Sequence, residues 1–151
     1  MKLDNITVNI PTLNEQNNIA ACIKAVKRAG IKNILVIDGG SEYEILKNLK
    51  RIKILRTKKK GLANQRRVGV NNSKTKYIAL IDADMRPKKD CFVKMLRDLD
   101  NSEFAGVEAE IKPDKTINYF DKSYQDIMDV HINIKGPRRM IGTPTLWHAN
   151  I

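Results

Sequence analysis

Four short strand-forming runs, each ending in residues that turn or cap the chain, constrain this fold more than any other feature of the sequence. Ile6–Ile10 leads into Pro11-Thr12, and Asn33–Ile37 into Asp38-Gly39-Gly40. Arg51–Leu55 leads into Arg56-Thr57, and Tyr77–Ile81 into Asp82-Ala83-Asp84. Helical patterns separate them. Ile19, Cys22, Ile23 and Val26 recur at helical spacing, with Gly30 as a stop. Glu42–Leu49 reads as a short helix and Gly61–Asn72 as a longer one. Pro87 suits a helix start, ahead of an apolar stripe of Phe92, Met95, Leu96 and Leu99. Thr12-Leu13-Asn14-Glu15 fits the capping box that would open the first helix.

Strand and helix in alternation predict an α/β fold, a mainly parallel sheet flanked by helices on both faces. Ligands of such sheets bind beyond the carboxyl ends of the strands. The four polar strand ends would therefore share one cleft. Past Asn101 the pattern predicts a strand in Phe104–Ile111, a helix in Tyr119–Asn133 and a last strand within Arg139–Trp147.

At 151 residues, one domain with one core is expected. No apolar run approaches the ~20 residues that span a bilayer, and the first residues lack the apolar stretch of a signal peptide. A cytoplasmic protein is expected. The net charge of +11 asks for an acidic partner, and a peripheral position on an anionic membrane suits it. Cys22 and Cys91 have no metal-ligand spacing and read as buried small apolar residues. His131 reads as a core-facing helix residue, and His148 as a structural one.

Several residues could carry chemistry. Asp82 and Asp84, one residue apart at a strand end, could hold a hard divalent cation; they could equally be turn or capping residues before Pro87. On a helical wheel Arg66 falls among Leu62, Ala63, Gly69 and Val70, so it is predicted to face inward, where a diphosphate would satisfy it. Gly61 leaves backbone N–H groups free for an anion. Asp38, followed by Gly39 and Gly40, could accept from a base or ribose, or simply close an Asx turn. Lys58-Lys59-Lys60 reads as a solvated loop. Lys135, Arg138 and Arg139 form a second basic group that could take phosphate.

Four stretches in order, "NIPTLNEQNNI", "ILVIDGGSE", "GLANQRRVGVNNSKTKYIALIDADMRP" and "FAGVEAE", resemble the family 2 glycosyltransferases, inverting enzymes of the GT-A fold with a DXD motif. The resemblance covers residues 6–110. It implies transfer of a sugar from a nucleoside-diphosphate donor with Mg²⁺ or Mn²⁺. By position it implies that Pro11, Thr12 and Glu15 line the nucleoside pocket, together with Asp38 and Gly39. Gly61 and Arg66 would serve the diphosphate, Asp82 and Ala83 the nucleoside, and Asp84 the metal, with Asp82 beside it. The family's small residue and Asn around the helix arginine are here Gln65 and Arg67, and its Asp after the glycine turn is missing from Ser41-Glu42-Tyr43. Its general base lies later than this chain extends, so the domain is expected to lack the usual C-terminal part. Glu108, Asp126 and Asp129 are the candidates for a displaced base. The acceptor is open, and a lipid phosphate at a membrane surface would suit the positive charge.

Two other classes compete. A nucleotidyltransferase would open on a glycine-rich loop with a lysine, which Pro11–Glu15 lacks. A basic nucleic-acid module would interleave aromatics with its lysines, but aromatics make up 5% of the chain and none falls in the basic region before Tyr77; nucleic acid is not the expected partner.

Overall fold

The structure, a computed structural model, describes residues 3–41, 49, 52–111, 123 and 144–149. Six strands form one sheet: β1 (Ile6–Thr12), β2 (Asn33–Asp38), β3 (Lys53–Arg56), β4 (Tyr77–Leu80), β5 (Gly106–Glu108) and β6 (Thr145–His148). Their order is β3-β2-β1-β4-β6-β5. The first four run parallel, β6 runs antiparallel to β4, and β5 antiparallel to β6. Among the described residues, three α-helices accompany them: α1 (Ile19–Arg28), α2 (Leu62–Asn72) and α3 (Cys91–Asp100). Apart from Leu49 and Ser123, the predicted helices in Glu42–Leu49 and Tyr119–Asn133, with His131, and the basic group of Lys135, Arg138 and Arg139 lie outside the described residues. So do Asp126 and Asp129.

The two sheet faces are chemically different. Ile6, Val8 and Ile10 of β1 join the main core with Ile19, Cys22, Ile23 and Val26 of α1 and Phe92, Leu96 and Leu99 of α3. This side is apolar because both helices carry the predicted stripes. The alternate residues of β1 meet α2 and its flanks. There Thr7 Oγ1 bonds Thr75 Oγ1 at 2.7 Å, and Asn9 Nδ2 donates to Ser73 Oγ at 3.2 Å.

Helix α2 is turned differently from the prediction. Its buried residues are Gln65 and Gly69, whereas Leu62 and Val70 are exposed and Arg66 is half-buried. The wheel assumed that apolar residues must face the sheet. This face of the sheet presents Asn9 and backbone carbonyls, so a polar side chain and a glycine fit it better. A Cβ on Gly69 would lie 2.9 Å from Ile37 Cδ1 and 3.0 Å from Asn9 Cγ. The helix therefore sits closer than any side chain at position 69 would allow.

Two helix starts also move. The capping box does not form: Thr12 is the last residue of β1, paired with Asp38, and α1 begins only at Ile19 behind Asn18. Pairing with β2 keeps the backbone extended through Thr12, so a turn must intervene; in it the Glu15 carbonyl accepts from Asn18 N and Ile19 N at 3.0 and 2.9 Å. Helix α3 starts at Cys91 rather than at Pro87, because residues after Ile81 first turn across the end of the sheet. Gly30, at φ +90°, ends α1 as predicted.

Candidate functional site

The parallel register places Thr12, Asp38 and Arg56 side by side at the carboxyl edge, with the loop after β4 beside them. Thr12 is buried, and its Oγ1 has no hydrogen-bond partner among the described residues. A buried hydroxyl without a partner is costly in a finished protein and suits a surface that a ligand completes. The neighbouring loops are stitched together. Asn14, in the left-handed region at φ 57°, lets its N–H donate to Ser41 Oγ at 3.1 Å.

Asp38 is 1% exposed. Its carboxylate accepts from Ser41 N at 3.1 Å and from Ser41 Oγ at 2.6 Å, which closes an Asx-type turn. Arg56 completes it, with Nε 3.2 Å from Asp38 Oδ2 and Nη2 donating to the Ser41 carbonyl at 2.8 Å. Arg56 and Ser41 were not among the predicted site residues. Their only signal was position, a polar strand end beside Asp38. Gly39 makes room for a side chain of α2. It lacks a positive φ, and a Cβ there would meet the Gln65 amide at 3.0 Å. Gly40, at φ +97°, supplies the turn instead.

The inward anion partner predicted for Arg66 is a residue of the chain itself. Arg66 Nη2 lies 3.1 Å from Asp82 Oδ1, and its buried Nε has no hydrogen-bond partner among the described residues. Gly61, at φ +120°, caps the same helix with its N-terminal turn open to the edge. Behind the loop after β4, Cys22 Sγ approaches the Asp82 carbonyl at 3.6 Å. Burial, reinforced by Asp84 and Asp82 and opposed by Arg86, pushes this thiol up to about 12. Cys22 is thus the buried apolar residue expected, whereas Cys91 is half-buried, with its thiol also pushed up by burial. Arg86 ties the loop down, donating to the carbonyls of Ala83 and Met85 at 3.2 and 2.8 Å and to Asn18 Oδ1 at 3.3 Å. Asn18 in turn donates to Glu15 Oε2 at 2.9 Å.

Asp84 is exposed and lines a cavity of about 700 Å³ between this loop, α3 and β5. Glu108 lines the same cavity, and its buried Oε1 has no hydrogen-bond partner among the described residues. Among the described lining residues, Asp84, Asp90, Asp98, Glu108 and Glu110 supply carboxylates, against Arg86, Lys88 and Lys94. Lys94 lies 2.6 Å from Asp90 and holds that carboxyl below its usual range. No three His, Cys, Asp or Glu side chains among the described residues form a metal shell of their own. Asp84 still fits one contact to a hard cation, because it is an exposed oxygen donor and no hydrogen bond or ion pair engages it among the described residues. Mg²⁺ and Mn²⁺ sites at nucleotides need only one or two protein carboxylates. Asp82, paired with Arg66, is less available. His148 lies at the opposite end of the sheet, its ring 5.2 Å from that of Tyr77. No helix among the described residues is long and apolar enough to cross a membrane.

Comparison with known proteins places this edge in context. An uncharacterised glycosyltransferase of Rickettsia conorii is 36% identical over 107 residues, and one of Rickettsia felis is 34% identical over the same length. The matched segment is 66% of this chain and 18% of each relative, so the chain spans under a fifth of the curated relatives it matches. Among solved structures, S. aureus TarS (residues 1–349) superposes with a TM-score of 0.70 at 11% identity, covering 95% of this chain and 47% of that one. Mycobacterium tuberculosis glucosyl-3-phosphoglycerate synthase bound to UDP gives 0.68 at 14%, covering 95% and 56%. A Pyrobaculum calidifontis mannosyltransferase bound to GDP-Man and Mn²⁺ gives 0.65 at 17%, covering 72% and 36%. These likenesses show the fold, the GT-A arrangement of a mostly parallel sheet flanked by helices. The family described as glycosyl transferase family 2 matches residues 7–148, nearly the whole chain, and the chain belongs to that family.

Proposed function

We propose that the carboxyl edge binds a nucleoside-diphosphate sugar and that the protein transfers its sugar to an acceptor hydroxyl. The observation that carries this reading is the exposed Asp84 carboxylate at the mouth of a cavity, beside the Arg66–Asp82 pair. Related proteins crystallised with UDP, UDP-GlcNAc or GDP-Man make the same donor class the natural one to test. Thr12, with its unpartnered hydroxyl, and Asp38, braced by Ser41 and Arg56, form the nucleoside wall with Pro11, Glu15, Ala83 and Asp82. The N-terminal turn of α2 at Gly61 and the Arg66 guanidinium offset charge on the diphosphate.

Asp84 would hold Mg²⁺ or Mn²⁺, which when bound supplies positive charge to the diphosphate leaving group. Glu108 is the base this reading favours, because it lines the cavity that Asp84 opens and its buried Oε1 has no hydrogen-bond partner among the described residues. It takes the proton of the acceptor hydroxyl; the acceptor oxygen bonds the anomeric carbon as the bond to the diphosphate breaks, inverting that centre. A cavity rich in carboxylates suits a hydroxyl-bearing neutral acceptor better than a lipid phosphate.

A thermal-shift screen of UDP, GDP and their sugars, with and without Mn²⁺, tests this. Stabilisation that requires Mn²⁺ and is lost in Asp84→Asn is expected. Stabilisation unchanged by that substitution removes the metal role, and no response to any nucleotide removes the donor reading.

A further inference from the structure

Gln65 is a buried polar residue that the proposed chemistry leaves without a task. It is 3% exposed. Its Nε2 donates to the Thr12 carbonyl at 2.8 Å and to the Ile37 carbonyl at 2.8 Å. Both N–H bonds of one amide are thus committed to the ends of two neighbouring strands. Thr12 O also accepts Gly39 N at 2.8 Å, so the amide joins the point where β1 and β2 last touch. The fit is tight: the side-chain amide occupies the space that a Cβ of Gly39 would need, at 3.0 Å. The two strand ends held in this way carry Thr12 Oγ1 and, next to Ile37, the Asp38 carboxylate.

We infer that Gln65 is a positioning residue: its amide clamps the carboxyl ends of β1 and β2, and so presets the wall formed by Thr12 and Asp38 for the nucleoside half of the donor. This rests on the donor reading above. The physical argument is preorganisation. Where the strand ends are held before the ligand arrives, binding need not order them, and less of the contact energy is lost. Among the described residues the Gln65 side chain hydrogen-bonds to backbone carbonyls, so it acts through Thr12 and Asp38. Because those two residues face the nucleoside end while Arg66 and Gly61 face the diphosphate, the clamp affects the two halves of the ligand unequally.

Gln65→Met keeps the length of the side chain and cannot donate. Calorimetric titration with UDP, GDP and inorganic pyrophosphate, each with Mn²⁺, reads its effect in a variant shown to unfold cooperatively. Affinity for the nucleotide is expected to fall about tenfold, with pyrophosphate affinity held within about twofold. Equal binding of the nucleotide by wild type and the folded variant overturns the proposal alone. Equal loss of nucleotide and pyrophosphate overturns it too, because a general loosening of the site would do that. A wild-type chain that binds neither UDP nor GDP overturns the donor reading and this inference together. If Gln65→Met fails to fold, the packing supplies a second arm. Gly39→Ala, whose methyl would meet the Gln65 amide at 3.0 Å, should displace the clamp and lower nucleotide affinity while pyrophosphate affinity stays within about twofold. Equal nucleotide affinity in folded Gly39→Ala and in wild type overturns the clamp.

Discussion

Arg66 Nη2 stands 3.1 Å from Asp82 Oδ1, and this ion pair joins α2 to the loop after β4 across the edge where the donor is proposed to bind. Both side chains are about a third exposed, at 33% and 38%, so the pair is screened by water and contributes little to stability. Its value lies in geometry. It sets the guanidinium beside the backbone of Asp82-Ala83-Asp84 and leaves Asp84 directed to the open side.

A double-mutant cycle of Arg66→Met and Asp82→Asn should therefore return a coupling of roughly 0.5–1 kcal/mol in chemical unfolding. In UDP or GDP titration the Arg66→Met change should weaken binding by about tenfold or more, since it removes a diphosphate partner. Strong coupling in stability together with unchanged nucleotide affinity would make the pair a purely structural brace.

Asp38 differs from Asp82 in burial. Replacing it with Ala removes the acceptor of Ser41 N, Ser41 Oγ and Arg56 Nε, leaving the Arg56 guanidinium its bond to the Ser41 carbonyl among the described residues. A loss of about 1–3 kcal/mol is expected by urea unfolding. Arg56→Ala should cost less, because the Arg56 side chain is largely exposed and Ser41 continues to satisfy the carboxylate.

Gly69→Ala reverses the usual helix rule. In an open helix this change adds about 1 kcal/mol of stability. Here the methyl would meet Ile37 Cδ1 at 2.9 Å and Asn9 Cγ at 3.0 Å, so those side chains or α2 itself must shift. A net loss of about 1–3 kcal/mol is expected. A gain in Tm would show that α2 packs less closely than described.

The two thiols should react at different rates. Cys22 is fully buried, with its thiol pushed up to about 12, while Cys91 is half-buried and less strongly shifted. At pH 8 a thiol reagent should modify Cys91 first and Cys22 only through unfolding. Because the folded thiol titrates above its unfolded value, Cys22 contributes stability fully below the ordinary thiol pKa near 8.5, and this is lost as pH rises towards about 12. Rapid modification of both thiols in the folded chain would contradict this burial.

Much of the site was legible in the sequence because strand-end chemistry is local. A run such as Tyr77–Ile81 needs burial on both faces, and the polar residues that follow must emerge at one edge of a parallel sheet. That logic located Thr12, Asp38, Asp82 and Asp84 before any fold was known, and the helical stripes of α1 and α3 located the core. It could not locate Gln65 or Arg56. Their partners are carbonyls and a carboxylate at least 15 residues away in sequence, and no periodicity encodes them. The rotation of α2 was hidden for a related reason. Amphipathicity assumes an apolar partner surface, but on that side β1 and β2 offer Asn9 and the strand-end carbonyls of Thr12 and Ile37. The start of α1 depended on how far β1 stays paired with β2, which is settled by the neighbouring strand. The sequence by itself determined the layering and the edge at which polar residues gather, because burial of apolar surface follows local spacing. Only the tertiary structure decided which polar groups satisfy one another there, because a hydrogen bond requires two atoms within about 3 Å and chain separation does not specify that distance.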